Sequence, residues 1–139
     1  MRLSQNAPCP CGSGRRAKAC CAPILGGAPA ASPEALMRSR YTAYATGATG
    51  HLMRTTAPES PHFRPDARQW KADLDAYCAQ VRFEGLEVLG ASQDGDRGRV
   101  QFRARLAAGG RDLSFGEDSA FVRQQGRWLY VDGTRIGLP

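Results

Sequence analysis

The sequence contains no apolar run approaching the roughly 20 residues of a membrane-spanning helix, which excludes a helical membrane protein. Its opening residues, "MRLSQNAPCPCG", lack the apolar core of a secretory signal, so the chain is expected in the cytoplasm, where thiols stay reduced. Histidine occurs only as His51 and His62, in turn-rich stretches without metal-ligand spacing; both are expected at the surface or at helix ends. Acidic residues are missing altogether before Glu34. Residues 1–33 therefore hold Arg2, Arg15, Arg16 and Lys18 uncompensated, which is +4 of the net +6, and the rest of the chain is nearly neutral. Lysine is scarce, two against seventeen arginines, a bias without functional content. A length of 139 residues, 42% hydrophobic and 23% charged, suits one ordinary domain with a small appendage and excludes a disordered chain or a second full core.

What the chain does have is cysteine in one place: "CPCGSGRRAKACC", Cys9 to Cys21, holds four of the five. In a reduced compartment, Cys9-x-Cys11, eight residues, then Cys20-Cys21 is the donor set of a tetrahedral metal site. Pro10 stiffens the first turn, and Gly12 and Gly14 let the backbone fold close and aim N–H groups at sulfur. "RRAKACC" reads as a short helix that returns the last two ligands to the first two, with Pro23 ending it. The rivals are a disulfide pair, disfavoured by compartment, a redox dithiol at Cys20-Cys21, and an iron–sulfur cluster. Ligand type and spacing favour one structural Zn2+, closed to water by four thiolates. Four thiolates and Zn2+ sum to −2, so Arg15, Arg16 and Lys18 read either as neutralisers of the cluster or as contacts to RNA or an acidic protein surface.

At these residues the chain resembles the SEC-C zinc motif found at the C-terminus of the bacterial preprotein translocase ATPase. In that family the four cysteines bind zinc, which implies the same role for Cys9, Cys11, Cys20 and Cys21.

"ILGGAPAASP" then reads as a connector, and Ser32, Pro33 and Glu34 as a helix start with cap, first-turn proline and acid. Leu36, Met37, Tyr41, Tyr44, Ala45 and Ala48 form its inward stripe until Gly47 and Gly50 stop it. A proline-punctuated loop leads to a second helical pattern at Ala67, Trp70, Leu74, Tyr77, Cys78 and Val81, in which Cys78 is a small buried hydrophobe. From Phe83 the period changes to two, and turns at "DGDRG", "AAGG" and "QQGR" divide the rest into four antiparallel strands. The fold class is α+β, with helices packed on one face of a sheet.

Register says more. A two-residue turn at Gly109-Gly110 pairs Leu106 with Leu113, Ala104 with Phe115 and Phe102 with Glu117. A turn at Gln125-Gly126 pairs Phe121 with Tyr130 and Ser119 with Asp132. Glu117, Ser119 and Asp132 would then share the covered face, where charge needs a partner; Arg38 and Arg40 on the helix flanks offer one. One reading is a structural polar cluster, or a bulge at Gly116 that turns Glu117 outward. The other is a pocket for a small ligand lined by Arg38, Tyr41, Tyr44, Glu117, Ser119, Tyr130 and Asp132. Arg99, Arg103 and Arg105 with Gln101 form a solvated stripe on the opposite face.

From end to end, "CPCGSG" to "CC", "LMRSRYTAY" and "GRWLYVDGT" resemble the YchJ family of bacterial proteins. The resemblance implies a SEC-C knuckle over residues 1–23, a linker over 24–33 and a nuclear-transport-factor-like cone over 34–139, in which helices cover a curved antiparallel sheet. It also admits a homodimer. The expected function is a zinc-binding adaptor whose knuckle docks on a protein or RNA partner away from any membrane. The alternative is small-molecule binding, or isomerase- or dehydratase-type chemistry, in the cone.

Overall fold

The computed structural model describes residues 3–137. Arg2, one of the four N-terminal cations, lies outside the described residues. A 3-10 turn at Ala17–Ala19 leads into α1 (Cys21–Leu25), followed by α2 (Pro33–Thr46), α3 (Thr49–Arg54), α4 (Ala67–Gln80), β1 (Arg82–Asp94), β2 (Arg97–Ala108), a two-residue β3 (Arg111–Asp112), β4 (Phe115–Gln124) and β5 (Arg127–Ile136). The long strands form an antiparallel sheet in the order β1-β2-β4-β5, with β3 extending the hairpin from β2. The expected α+β class therefore stands, and among the described residues no helix is long and apolar enough to cross a membrane.

Helix α2 begins as its sequence dictates. The Ser32 hydroxyl accepts from the Ala35 N–H at 3.1 Å, Pro33 occupies the first turn, and Gly47 ends the helix at φ 76°. Gly50 is not a stop but part of α3, and Ala48 lies beyond the end of α2. Pro33, Leu36, Met37, Ser39, Arg40, Tyr41, Thr42 and Ala43 are all buried, so α2 is covered on nearly every side. The sheet covers one side with Val100, Phe102, Leu106, Phe121 and Trp128; the cysteine segment covers another. At its N-terminus α2 lies so near β2 that any side chain at Gly98 would meet the Pro33 ring. Pro23 does not end α1 but sits in its first turn, where a missing N–H costs nothing.

The register across β2 and β4 is as the turns dictate: Phe102 faces Glu117 and Ala104 faces Phe115, and the Leu113 N–H donates to the Leu106 carbonyl at 2.9 Å. Between β4 and β5 the pairing shifts. Phe121 faces Tyr130, but Ser119 faces Gly133 and Asp132 faces Ala120, because Val131 is bulged out of the ladder. The loop after α3 causes this. Tyr130 donates its N–H to the Thr55 carbonyl at 2.7 Å and accepts from the Ala57 N–H at 2.8 Å, and the Ser60 hydroxyl donates to the Val131 carbonyl. The expected pair of Ser119 with Asp132 is thus broken, and Asp132 points to solvent.

His51 stands in the last turn of the six-residue α3, at a helix end as expected, but not at the surface. It is buried in α3, where Nε2 lies 2.9 Å from the Ser39 hydroxyl. Since that hydroxyl donates to the Leu36 carbonyl at 2.7 Å, Nε2 is the protonated nitrogen. Burial, aided by the nearby charges of Arg40 and Arg54, pulls the imidazole down to about 4. The unfolded chain therefore takes up the proton more readily. The stability this adds is complete above the ordinary value near 6.5 and is lost as pH falls toward 4, to a total of about 3 kcal/mol. Urea unfolding across that range should show the decline in the wild type and a flatter profile in His51→Gln; parallel profiles would remove His51 as its cause.

Candidate functional site

Two sites flank α2. On one side, the sulfurs of Cys9, Cys11, Cys20 and Cys21 all lie within 4.8 Å of one another and all four residues are buried. A local hairpin brings them together: the Cys9 N–H donates to the Arg15 carbonyl at 2.8 Å and the Gly12 N–H to the Cys9 carbonyl at 3.1 Å. Gly12 has φ 78°, and a Cβ there would stand 3.0 Å from the Leu86 carbonyl, so the hairpin needs glycine both for its turn and for its contact with β1. The Gly12 N–H is thus spent on the turn. The Ser13 backbone N–H faces the Cys11 sulfur, and side chains add further polar contacts: Ser13 Oγ lies 3.2 Å and Arg15 Nη2 3.7 Å from Cys20, Thr42 Oγ1 lies 3.7 Å from Cys9, and Arg38 Nη1 lies 3.9 Å from Cys11.

Four thiols this close cannot all ionise alone. Sharing of protons with Cys21 holds the Cys11 thiol well below the usual range and pushes Cys21 upward. A cation among the sulfurs relieves the conflict, and the donor set can hold one metal ion. Arg38, expected in the pocket, belongs here: besides its sulfur contact it donates to the Cys11 carbonyl at 2.8 Å and to Glu34 at 2.9 Å. The reason is helical. Residues two apart on a helix project to opposite sides, so when Arg40 turns toward the cavity Arg38 must turn away. Of the three knuckle cations, Arg15 leans on Cys20, whereas Arg16 and Lys18 are exposed and make no ion pair among the described residues.

On the other side, α2, α4 and the inner face of the sheet enclose a cavity of about 520 Å³. Tyr41, Tyr44, Glu117, Ser119 and Tyr130 line it, as does Arg40; Asp132 does not. Glu117 points inward, so no bulge at Gly116 turns it out. One carboxylate oxygen of Glu117 accepts from the Ser119 hydroxyl at 2.5 Å and from the Tyr130 hydroxyl at 3.2 Å. Burial, and then the Glu117 charge, push the Tyr130 phenol upward. The Arg40 guanidinium carbon sits 4.6 Å from the centroid of the Tyr130 ring. Its Nη1 donates to the Leu52 carbonyl and to the hydroxyls of Thr55 and Thr56 at 3.1, 2.8 and 3.3 Å.

The mouth is formed by Trp70, Leu74 and Tyr77 of α4, a helix with no buried residue, and by His62. His62 Nε2 lies 3.0 Å from Asp132, which the Gly133 N–H, and then this contact, hold below the usual carboxylate range. Cys78, on the same helix, is half-buried. Gly133 was not visible as a site residue: only the register of a bulged strand shows that a Cβ there would collide with the Glu117 carboxylate.

The family models match in two blocks: a SEC-C motif at residues 6–23 and YchJ, middle NTF2-like domain, at residues 32–133. The chain is 43% identical over 133 residues to a UPF0225 protein of Chromobacterium violaceum, covering 91% of this chain and 92% of that one. A SEC-C motif containing protein from Rhodopseudomonas palustris, known from its solution structure, is 39% identical with a TM-score of 0.81, covering 94% of this chain and all of that one. The crystal structure of one from Psychrobacter arcticus has the same fold at 20% identity and a TM-score of 0.74, covering 99% of this chain and 86% of that one.

Gly133→Ala should lift Glu117 from its seat and cost about 1–3 kcal/mol in urea unfolding. In a Glu117→Ala background the same change should cost little further, a coupling of about 1 kcal/mol or more. Additive costs would show that Glu117 is not what Gly133 accommodates.

Proposed function

The chain belongs to the YchJ family, a SEC-C motif ahead of an NTF2-like domain, and from that premise we propose that it is a Zn2+-binding cytoplasmic adaptor whose knuckle docks on an acidic protein surface. The observation that carries this reading is the buried four-sulfur cluster beneath two uncompensated cations. Tetrahedral zinc with Zn–S bonds of about 2.3 Å sets its ligands about 3.8 Å apart. The separations of 3.6 Å between Cys11 and Cys20 and 3.9 Å between Cys20 and Cys21 agree with that spacing. Cys9, Cys11, Cys20 and Cys21 would hold the ion, whose role is to cross-link the hairpin to α1. Four protein ligands leave no position for a reacting water.

Charge supports the docking surface. Four thiolates and one Zn2+ sum to −2, and Arg15 and Arg38 reach the cluster, but Arg38 is also paired with Glu34 at 2.9 Å, so the two guanidinium groups offset that charge only in part. Arg16 and Lys18, exposed and without an ion pair among the described residues, tip the face to a small net positive charge. Residues 1–23 contain no aromatic side chain on which a base would stack, which favours an acidic protein over RNA. A second reading, favoured by the charged groups inside the cavity, is that the cone binds a small molecule.

Native mass spectrometry of protein purified without added metal should find one zinc per chain, and Cys20→Ser should lose it. The double variant Arg16→Glu, Lys18→Glu, which spares Arg15 at the cluster, should keep the zinc and the fold while partner crosslinking in cells falls about ten-fold, with an effect that weakens as salt rises. Unchanged crosslinking would reject the docking surface; crosslinks that vanish with ribonuclease would assign it to RNA.

A further inference from the structure

We propose that helix α4 is a hinged lid on the cone cavity, latched in the closed position by the hydrogen bond between Thr49 and Asp75. A binding cavity needs an entrance, so this deepens the second reading above, yet the motion can be read with no ligand present.

Helices α2 and α4 are both 14 residues long, but α2 buries eight of them and α4 none. The apolar side of α4 is nevertheless turned inward, since Trp70, Leu74 and Tyr77 line the cavity. They border open space there instead of closing on a packed wall, and Tyr77 stays 41% exposed. A few ring edges hold them. Trp70 meets Phe63 at 5.1 Å between centroids, and Tyr77 meets Tyr44 at 5.9 Å and Phe83 at 6.2 Å. Contacts this sparse leave a low cost of local opening.

Polar ties are fewer still. The side chains of Gln69 and Lys71 bond to Asp73 and Asp75 within the helix, and Asp66 caps it. Among the described residues the one side-chain hydrogen bond that leaves α4 runs from the Thr49 hydroxyl to Asp75 Oδ1 at 2.7 Å. Its two ends differ. Thr49 is buried at the start of α3 and forms a fixed post, whereas Asp75 is exposed and its other oxygen takes Lys71 at 2.8 Å. When the bond breaks, water replaces Thr49 at Asp75, so opening leaves no unpaired charge in the interior.

The ends of α4 set the direction of the motion. At the C-terminal end Val81 is buried in the core and donates its N–H to the Tyr77 carbonyl at 3.1 Å. The N-terminal end follows residues 61–66, which are exposed or half-buried and whose His62 meets Asp132 at the surface. The helix therefore pivots near Val81, and the turn that carries Trp70 travels furthest.

The test uses the full, metal-loaded chain. In hydrogen exchange read by mass spectrometry, amides of α4 should exchange at least about ten-fold faster than those of α2. Thr49→Val removes the latch without touching the sequence of α4, and Asp75→Ala removes it from the other side while improving helix propensity. Each should speed α4 exchange about ten-fold further and leave α2 and the sheet unchanged; Lys71→Ala, which keeps the latch, should change it less than about two-fold. Because Asp75 is exposed, Asp75→Ala keeps the test decisive should Thr49→Val disturb α3. Iodoacetamide labelling of the thiol introduced by Ser119→Cys, read by peptide mass, reports on the cavity itself, since Ser119 lines it and is 1% exposed. The latch variants should raise that labelling in step with α4 exchange. Protection of α4 equal to that of α2, or latch variants that leave α4 exchange unchanged, overturns the lid. Faster exchange with unchanged labelling overturns it as well, since α4 would then move without opening the cavity. None of these readouts involves a ligand, so the lid can fail while the second reading stands.

Discussion

Both sites depend on the burial of α2 from two sides. A helix against a sheet ordinarily keeps a solvated face for its polar residues, and α2 has almost none. Its polar side chains must therefore find partners inside the protein. Arg38 and Thr42 find them in the cysteine segment, Ser39 in His51, and Arg40 in the α3 loop and the Tyr130 ring. The cysteine cluster and the cavity are the two ends of this requirement. Helical geometry divides the arginines between them, since residues two apart cannot face the same neighbour.

The two ends solve the cost of buried charge in opposite ways. At the cluster, opposite charges crowd together: thiols with their protons contested, and Arg15 and Arg38 placed against them. In the cavity they are kept apart, and each is held by neutral groups, Glu117 by two hydroxyls and Arg40 by a carbonyl, two hydroxyls and a ring face. The first arrangement is closed and self-satisfied once a cation is present. The second keeps its charged groups apart around an open space.

Local chemistry was legible in the sequence, and long-range contacts were not. The Ser32-Pro33-Glu34 start of α2, the hairpin at Gly109-Gly110 and the cysteine spacing each depend on residues a few positions apart. The pairing of Phe102 with Glu117 followed from turn length alone. The place of Asp132 did not, because the bulge at Val131 is held by Ser60 and Ala57, some 70 residues away. Arg38 was misplaced for a related reason: alternation of apolar residues reveals one buried face, and α2 has two. The helix-end place of His51 was legible but its burial was not, because its partner, Ser39, gives no periodic signal.

The two ends also differ in how firmly they are held. The cluster is walled by α2 and β1, and Gly12 marks how closely the hairpin meets Leu86. The cavity mouth is carried by α4, which buries none of its residues; even Tyr77, on its inner side, is 41% exposed. Fewer buried contacts mean a lower local cost of opening. The rim of the cavity is therefore carried by a helix with little to lose by moving, while the wall that carries Arg40 is backed by the cysteine segment through Thr42 and Arg38.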